Sequence, residues 1–160
     1  MGDNVTMEGR NAVYGSLAEC FVTIEGRRYN FMSMTRFESE WKTTIKDVPI
    51  LGKVGMGHKS AGGKGTWKGT AHYNQSIFRE MADKYQKTGI MTPFEIQISN
   101  EDKGSVVGRQ TVILRDCLCE TFTLAKFEAG EELLDEDISG TFDSWDLPEK
   151  FNQMEGFAAN

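Results

Sequence analysis

Residue types able to do chemistry fall in three places. The segment Leu51–Gly65 holds six glycines and three lysines, a composition whose backbone N–H groups and ammonium ions can cradle a phosphate. A phosphate loop ending at Lys64 needs glycine at position 58 and Ser or Thr at 65, where this chain has His58 and Gly65. The segment also joins two strand-like stretches, not a strand to a helix. It therefore reads as a flexible loop over 51–65, a docking arm that becomes ordered on a partner. The second place is Asp135–Asp146, where oxygen side chains occupy relative positions 1, 3, 5, 9 and 12 with glycine at 6, the spacing of a calcium loop. Asp146 is too short for the usual bidentate glutamate, and paired helical flanks are missing. With period two, Ile138, Gly140 and Phe142 alternate with Asp137, Ser139, Thr141 and Asp143, so the strand reading is preferred. The third is the thiol and imidazole set. Cys117 and Cys119 share one strand face, where they are poor disulfide partners, and Cys20 stands apart. His58 and His72 have no nucleophile or metal partner nearby in sequence. The expectation is three buried free thiols, no catalytic residue, no metal and no cofactor.

Composition narrows the class. The 160 residues are 39% hydrophobic and 26% charged, ordinary values for one soluble globular domain that builds its own core. No apolar run approaches the roughly 20 residues of a membrane helix, and residues 1–10 lack a signal-peptide core; the expected compartment is the cytoplasm. Net charge is -6, against a nucleic-acid binder with a coherent basic face. The charge is uneven: residues 1–80 carry eleven basic and eight acidic residues, and residues 81–160 carry seven and sixteen. Such polarity suits head-to-tail self-association.

The elements that must position these groups centre on Asn30–Tyr73. From Asn30 to Lys46, Phe37, Trp41 and Ile45 share one parity, and Arg36, Glu38, Glu40 and Lys42 share the other, the period of a strand. Gly65–Tyr73 alternates likewise, with Trp67, Ala71 and Tyr73 opposed to Thr66, Lys68, Thr70 and His72. About 16 alternating residues far exceed the usual strand of roughly 5 to 6, so the pair reads as a long protruding hairpin, a wall shared between subunits. A flexible arm over 1–11 precedes two short strands in Ala12–Tyr29, with Glu25-Gly26-Arg27 as the turn into the long strand. One helix is predicted over Asn74–Thr88, with Asn74 as N-cap, an apolar stripe of Ile77, Phe78, Met81 and Tyr85, and Gly89 as its stop. Strands follow at Pro93–Ser99, Val106–Leu114, Leu118–Glu128 and Leu133–Trp145, with an extended tail over Asp146–Phe151. The fold class is mainly β: a small antiparallel barrel or sandwich, one flanking helix and a protruding hairpin.

Five stretches, in this order and spacing, resemble the tail tube proteins of contractile-tailed bacteriophages and phage-like elements of Gram-positive bacteria. They are Asn11-Ala12-Val13-Tyr14-Gly15, Ile24-Glu25-Gly26, Val48-Pro49-Ile50-Leu51-Gly52, Gly65-Thr66-Trp67-Lys68-Gly69, and the long run Ile138–Phe151, which begins Ile138-Ser139-Gly140-Thr141-Phe142-Asp143-Ser144-Trp145. The resemblance spans nearly the whole chain.

It implies a protomer that assembles into hexameric rings, stacked as a hollow tube inside a contractile sheath, with hairpin strands of six subunits lining the lumen and a loop locking onto the next ring. On that basis Arg36, Glu38, Glu40, Lys42 and Lys68 are candidates for the lumen wall. Lys53, His58, Lys59 and Lys64 are candidates for the inter-ring arm, and Glu131, Glu132, Asp135 and Glu136 for its acidic partner surface. The implied partners are further copies of the chain, the sheath, a tape measure protein in the lumen, baseplate and tail terminator proteins, and DNA in transit without sequence-specific binding. The implied location is the virion tail, assembled in the host cytoplasm. Two other readings compete: the tube of a phage-like bacteriocin or secretion system, which packages no DNA, and a monomeric small-ligand barrel.

Overall fold

The computed structural model describes residues 6–130 and 133–158. Eight antiparallel strands and one helix build it. The strands are β1 (Ala18–Ile24), β2 (Arg27–Asn30), β3 (Met34–Val48), β4 (Gly57–His72), β5 (Phe94–Glu101), β6 (Arg109–Thr121), β7 (Asp135–Phe142) and β8 (Ser144–Glu149), and α1 (Ile77–Thr88) lies between β4 and β5. Along the sheet the order is β2-β1-β5-β6-β7-β4-β3, with β8 also on β6. The end strands β2 and β3 do not pair, so the sheet stays open and the molecule is a sandwich-like fold, not a closed barrel.

One strand makes the sandwich. Sequence suggested two strands on either side of Arg115-Asp116, but β6 runs through without a break. Residues 109–117 pair with β5, and Leu118, Cys119 and Thr121 pair with β7. Asp116, in the register break of the β5 ladder between Leu114 and Cys117, has φ 53, a left-handed kink just before the strand leaves the first layer and enters the second. The tail expected to be merely extended forms β8, which covers β6 from Thr111 to Arg115.

Between the layers lies an aromatic core. Trp67 packs against Phe37 at 6.2 Å, Phe94 at 5.9 Å and Phe78 at 6.5 Å between ring centroids, and its indole N–H donates to the Thr141 carbonyl at 3.2 Å. Ile96, Leu114, Ile138 and Val22 complete it. The helix plugs this core with Phe78 and Met81, while Tyr85, the last of the expected stripe, is half exposed. α1 begins three residues later than predicted. Asn74 is held in the turn leaving β4, its N–H on the His72 carbonyl, and the Gln75 side chain accepts from the Ile77 N–H at 2.8 Å instead. Gly89 ends the helix as expected, at φ 73. Glu25 and Gly26, at φ 50 and 78, turn β1 into β2, not directly into the long strand.

Candidate assembly surface: the long hairpin

β3 and β4 are 15 and 16 residues long, and their register explains the two faces. Arg36 lies opposite Thr70, Glu38 opposite Lys68, and Glu40 opposite Thr66. On its other edge β4 sets Thr70 beside Asp137, Lys68 beside Ser139 and Thr66 beside Thr141. The lumen-wall candidates Arg36, Glu38, Glu40, Lys42 and Lys68 thus share one exposed face. β7 widens it with Asp137, Ser139 and Thr141, which sequence had placed only on a generic polar parity. Cross-strand contacts on this face are Lys68 to Glu38 at 3.8 Å and the Thr70 hydroxyl donating to Asp137 at 2.8 Å.

The opposite face explains the glycines. Opposite Trp41 stands Gly65, and opposite Phe37 stands Gly69. A Cβ at Gly63 would meet the Trp41 indole at 2.6 Å, one at Gly65 would enter the Phe142 ring, and one at Gly140 would strike both the Leu118 carbonyl and the Trp67 ring. Aromatic rings fill the space a side chain would take at Gly63 and Gly65, the Leu118 carbonyl with the Trp67 ring does so at Gly140, and Met34 with the Arg36 carbonyl does so at Gly69. The expected flexible loop over 51–65 is therefore corrected. Only Pro49–Met56 lies outside the strands, and β4 begins at Gly57. His58, Lys59 and Lys64 are strand residues paired with Asp47, Lys46 and Lys42, while Lys53 alone of the arm candidates sits in the turn. Gly62, at φ 82, supplies a bulge between the Thr43 and Ile45 pairings.

Support fades along the hairpin. The β4–β7 pairing ends at Gly65 with Phe142, so beyond it β3 and β4 pair only with each other among the described residues. Trp41 packs on Trp145 at 5.0 Å and Phe142 at 6.2 Å yet stays 39% exposed, and Ile45 is 57% exposed. At the tip Leu51 and Val54 are wholly exposed, with Ile50 and Met56 half so. Two lysine pairs, Lys42 with Lys64 and Lys46 with Lys59, face each other directly in this half, and such like-charge pairs disfavour an isolated hairpin.

The acidic candidates divide. Glu131 and Glu132 lie outside the described residues. Asp135 is half exposed and 3.0 Å from His72. Glu136 is corrected: it is buried at 3%, not on a partner surface. It accepts from Arg79 and, at 2.6 Å, from the Gln75 amide. Arg79 also donates to the Gln75 and Thr123 carbonyls and lies 4.5 Å over the Tyr73 ring. The network ties α1 to the end of the hairpin. Sequence hid it because Arg79 falls on the polar side of the helix and Glu136 stands in an acidic run that reads as solvated. Asp146 and Glu149 are likewise engaged, with Arg115 at 2.8 Å and Arg109 at 3.4 Å. The Asp135–Phe142 part of the calcium-like spacing is strand β7, which sends its oxygens out in a row along one face. All three cysteines are free. Burial pushes each thiol up to about 12, which keeps them protonated and poorly nucleophilic.

The overall fold is shared with chains of solved contractile injection particles. The structure aligns with the cap that terminates the tube of the anti-feeding prophage (TM-score 0.61, 12% identity, 91% of this chain and 95% of that one). It also aligns with a chain of the sheath–tube complex of an extracellular contractile injection system (TM-score 0.56, 11% identity, 80% and 86%). A family profile described as phage tail tube protein matches residues 5–149. The chain belongs to the phage tail tube protein family and is a structural component of the virion tail. Among its relatives is the phage-like element PBSX protein XkdM of Bacillus subtilis (strain 168), 26% identical over 148 residues that cover 92% of this chain and 98% of that protein. A second protein of the same strain, YqbM, is also 26% identical, over 91% of this chain and 97% of its own length.

Proposed function

We propose that the protein forms stacked hexameric rings, the inner tail tube inside a contractile sheath, and that DNA passes along its lumen. The observation that carries this reading is β3: an edge strand of 15 residues, polar on one face and apolar on the other, with its outer edge unpaired among the described residues. A strand of that length left open in water is a template for uncontrolled association, and closure through an oligomer removes it. A second, much shorter open edge is present at Leu118–Thr121, where β6 has left β5 and, among the described residues, pairs only with β7. Joining β3 of one copy to that edge of the next would continue a sheet of β3, β4, β7 and the end of β6 around a ring. The face carrying Arg36, Glu38, Glu40, Lys42 and Lys68 would then be the lumen wall. Its mixed charge avoids the dense cationic lining that would retain a polyanion.

The role is structural, and the partners are sheath, baseplate and terminator proteins outside and at the ends, with a tape measure protein inside. A second reading keeps the same tube but carries no DNA; it is favoured by the likeness to an extracellular injection system and to a phage-like element. Electron microscopy of the concentrated protein tests the shared core of both, with six-fold rings and tubes expected. A protein that stays monomeric by light scattering at every concentration overturns it.

A further inference from the structure

On the charged face of the long hairpin the sign of the side chains reverses between its two halves. Past Glu40 and Thr66, toward the tip, Lys42 stands opposite Lys64 and Lys46 opposite Lys59. All four lysines are exposed, and none has an ion pair among the described residues. The one carboxylate between Lys42 and Lys64 in the chain, Asp47, lies on the opposite face, 3.3 Å from His58. In the other half five carboxylates, Glu38, Glu40, Glu120, Asp135 and Asp137, stand against two cations, Arg36 and Lys68. Taken whole, the face is close to balance, with six lysines and arginines to five carboxylates. Its charges are sorted into two bands.

Lysines directly opposite each other repel, and here the ladder that holds them is only two strands wide among the described residues. A partner that brings negative charge offsets that cost. Cross-strand neighbours lie about 5 Å apart, and Lys42 and Lys46 lie about 13 Å apart, four residues at roughly 3.3 Å each. Over that length duplex DNA carries about eight phosphates. The chemistry of the band favours this backbone over unpaired bases and over acidic peptide. Trp41, the aromatic residue of this half, lies on the opposite face, which leaves nothing for an unpaired base to stack on. The cations are all lysines, point charges on flexible stems, and the arginine fork that fits a carboxylate edge-on is missing from the band. Between Lys59 and Lys64, β4 carries only Ser60, Ala61, Gly62 and Gly63, so no bulky side chain keeps a wide duplex away.

We propose that Lys42, Lys46, Lys59 and Lys64 bind the phosphate backbone of duplex DNA without reading its bases, and that the acidic band beside them repels it. Placing the lysines in a bore, one band per ring, rests on the tube reading; their binding of a duplex does not. A duplex that spans several rings meets attraction and repulsion in turn, and the near balance of the face holds it loosely enough to move. The test titrates a short fluorescent duplex of arbitrary sequence by anisotropy at several salt concentrations. K42Q/K46Q/K59Q/K64Q also removes the repulsion within the hairpin, so it does not endanger the fold. It is expected to weaken binding about tenfold or more at low salt and to flatten the slope of log affinity on log salt by about 3 to 4, for four lost phosphate contacts. R36Q/K68Q, in the other band, is expected to leave that slope within about one of the parent value. An unchanged slope in the fourfold variant overturns the inference. So does a poly-glutamate peptide that binds the lysines more tightly than a duplex of equal charge, which makes the band a surface for acidic peptide. In tubes the bound duplex is expected to resist a nuclease, and duplex held by tubes yet cut as fast as free duplex overturns the placement in the bore. Absence of rings and tubes from the unsubstituted protein overturns the tube reading itself, and the salt slope still decides the lysine band.

Discussion

Trp41 and Trp67 occupy successive positions on one face of one hairpin, opposite Gly65 and Ser39 respectively, yet their surroundings differ. Trp67 is 2% exposed, enclosed by Phe37, Phe78 and Phe94 and hydrogen-bonded through its indole N–H. Trp41 is 39% exposed and meets only Phe142 and Trp145 among aromatic rings. The two side chains are the same and so is the local backbone; what changes is whether α1 and β5 stand over them. The lower half of the hairpin belongs to the protomer's core, and the upper half carries the same amphipathic pattern into water.

Three substitutions sharpen or break this contrast. Trp67→Ala should cost the isolated protein about 3–5 kcal/mol, the usual loss for truncating a buried tryptophan, read as a lower urea midpoint. Gly65→Ala should cost about 1–3 kcal/mol, because the new methyl must displace the Phe142 ring from a filled site, and tryptophan fluorescence should shift as the Trp41–Phe142–Trp145 cluster opens. Trp41→Ala should cost the isolated protein under about 1 kcal/mol, as surface truncations do, while abolishing tubes under conditions where the parent forms them. Equal losses for Trp41→Ala and Trp67→Ala in urea unfolding would break the comparison and place both residues in the core.

The hairpin was legible because period-two alternation in Phe37, Trp41, Ile45, Trp67 and Ala71 reports which face is apolar whatever lies against it. Where that face is covered was not legible, since coverage of Trp67 comes from Phe78 and Phe94, residues distant in the chain. The glycine-rich stretch misled for a related reason. Gly63 and Gly65 look permissive in sequence, and only the rings of Trp41 and Phe142, brought over them by register, show that space and not flexibility selected them. Glu136 failed in the same way. Its neighbours are all acidic, and the guanidinium that buries with it comes from α1. Asp116 concealed a continuous β6 because a charged residue between apolar runs reads as a turn, which at φ 53 it locally is.

The passage of β6 through both layers has a mechanical meaning. A sandwich whose sheets are separate chain segments can shear along its greasy interface, trading one set of side-chain contacts for another at small cost. Here that slip would tear the ladder of a single strand on either side of Asp116. Torque or thrust applied at β8 is therefore delivered to β7 and the hairpin through the backbone, giving a stiff linkage between β8 and the long hairpin.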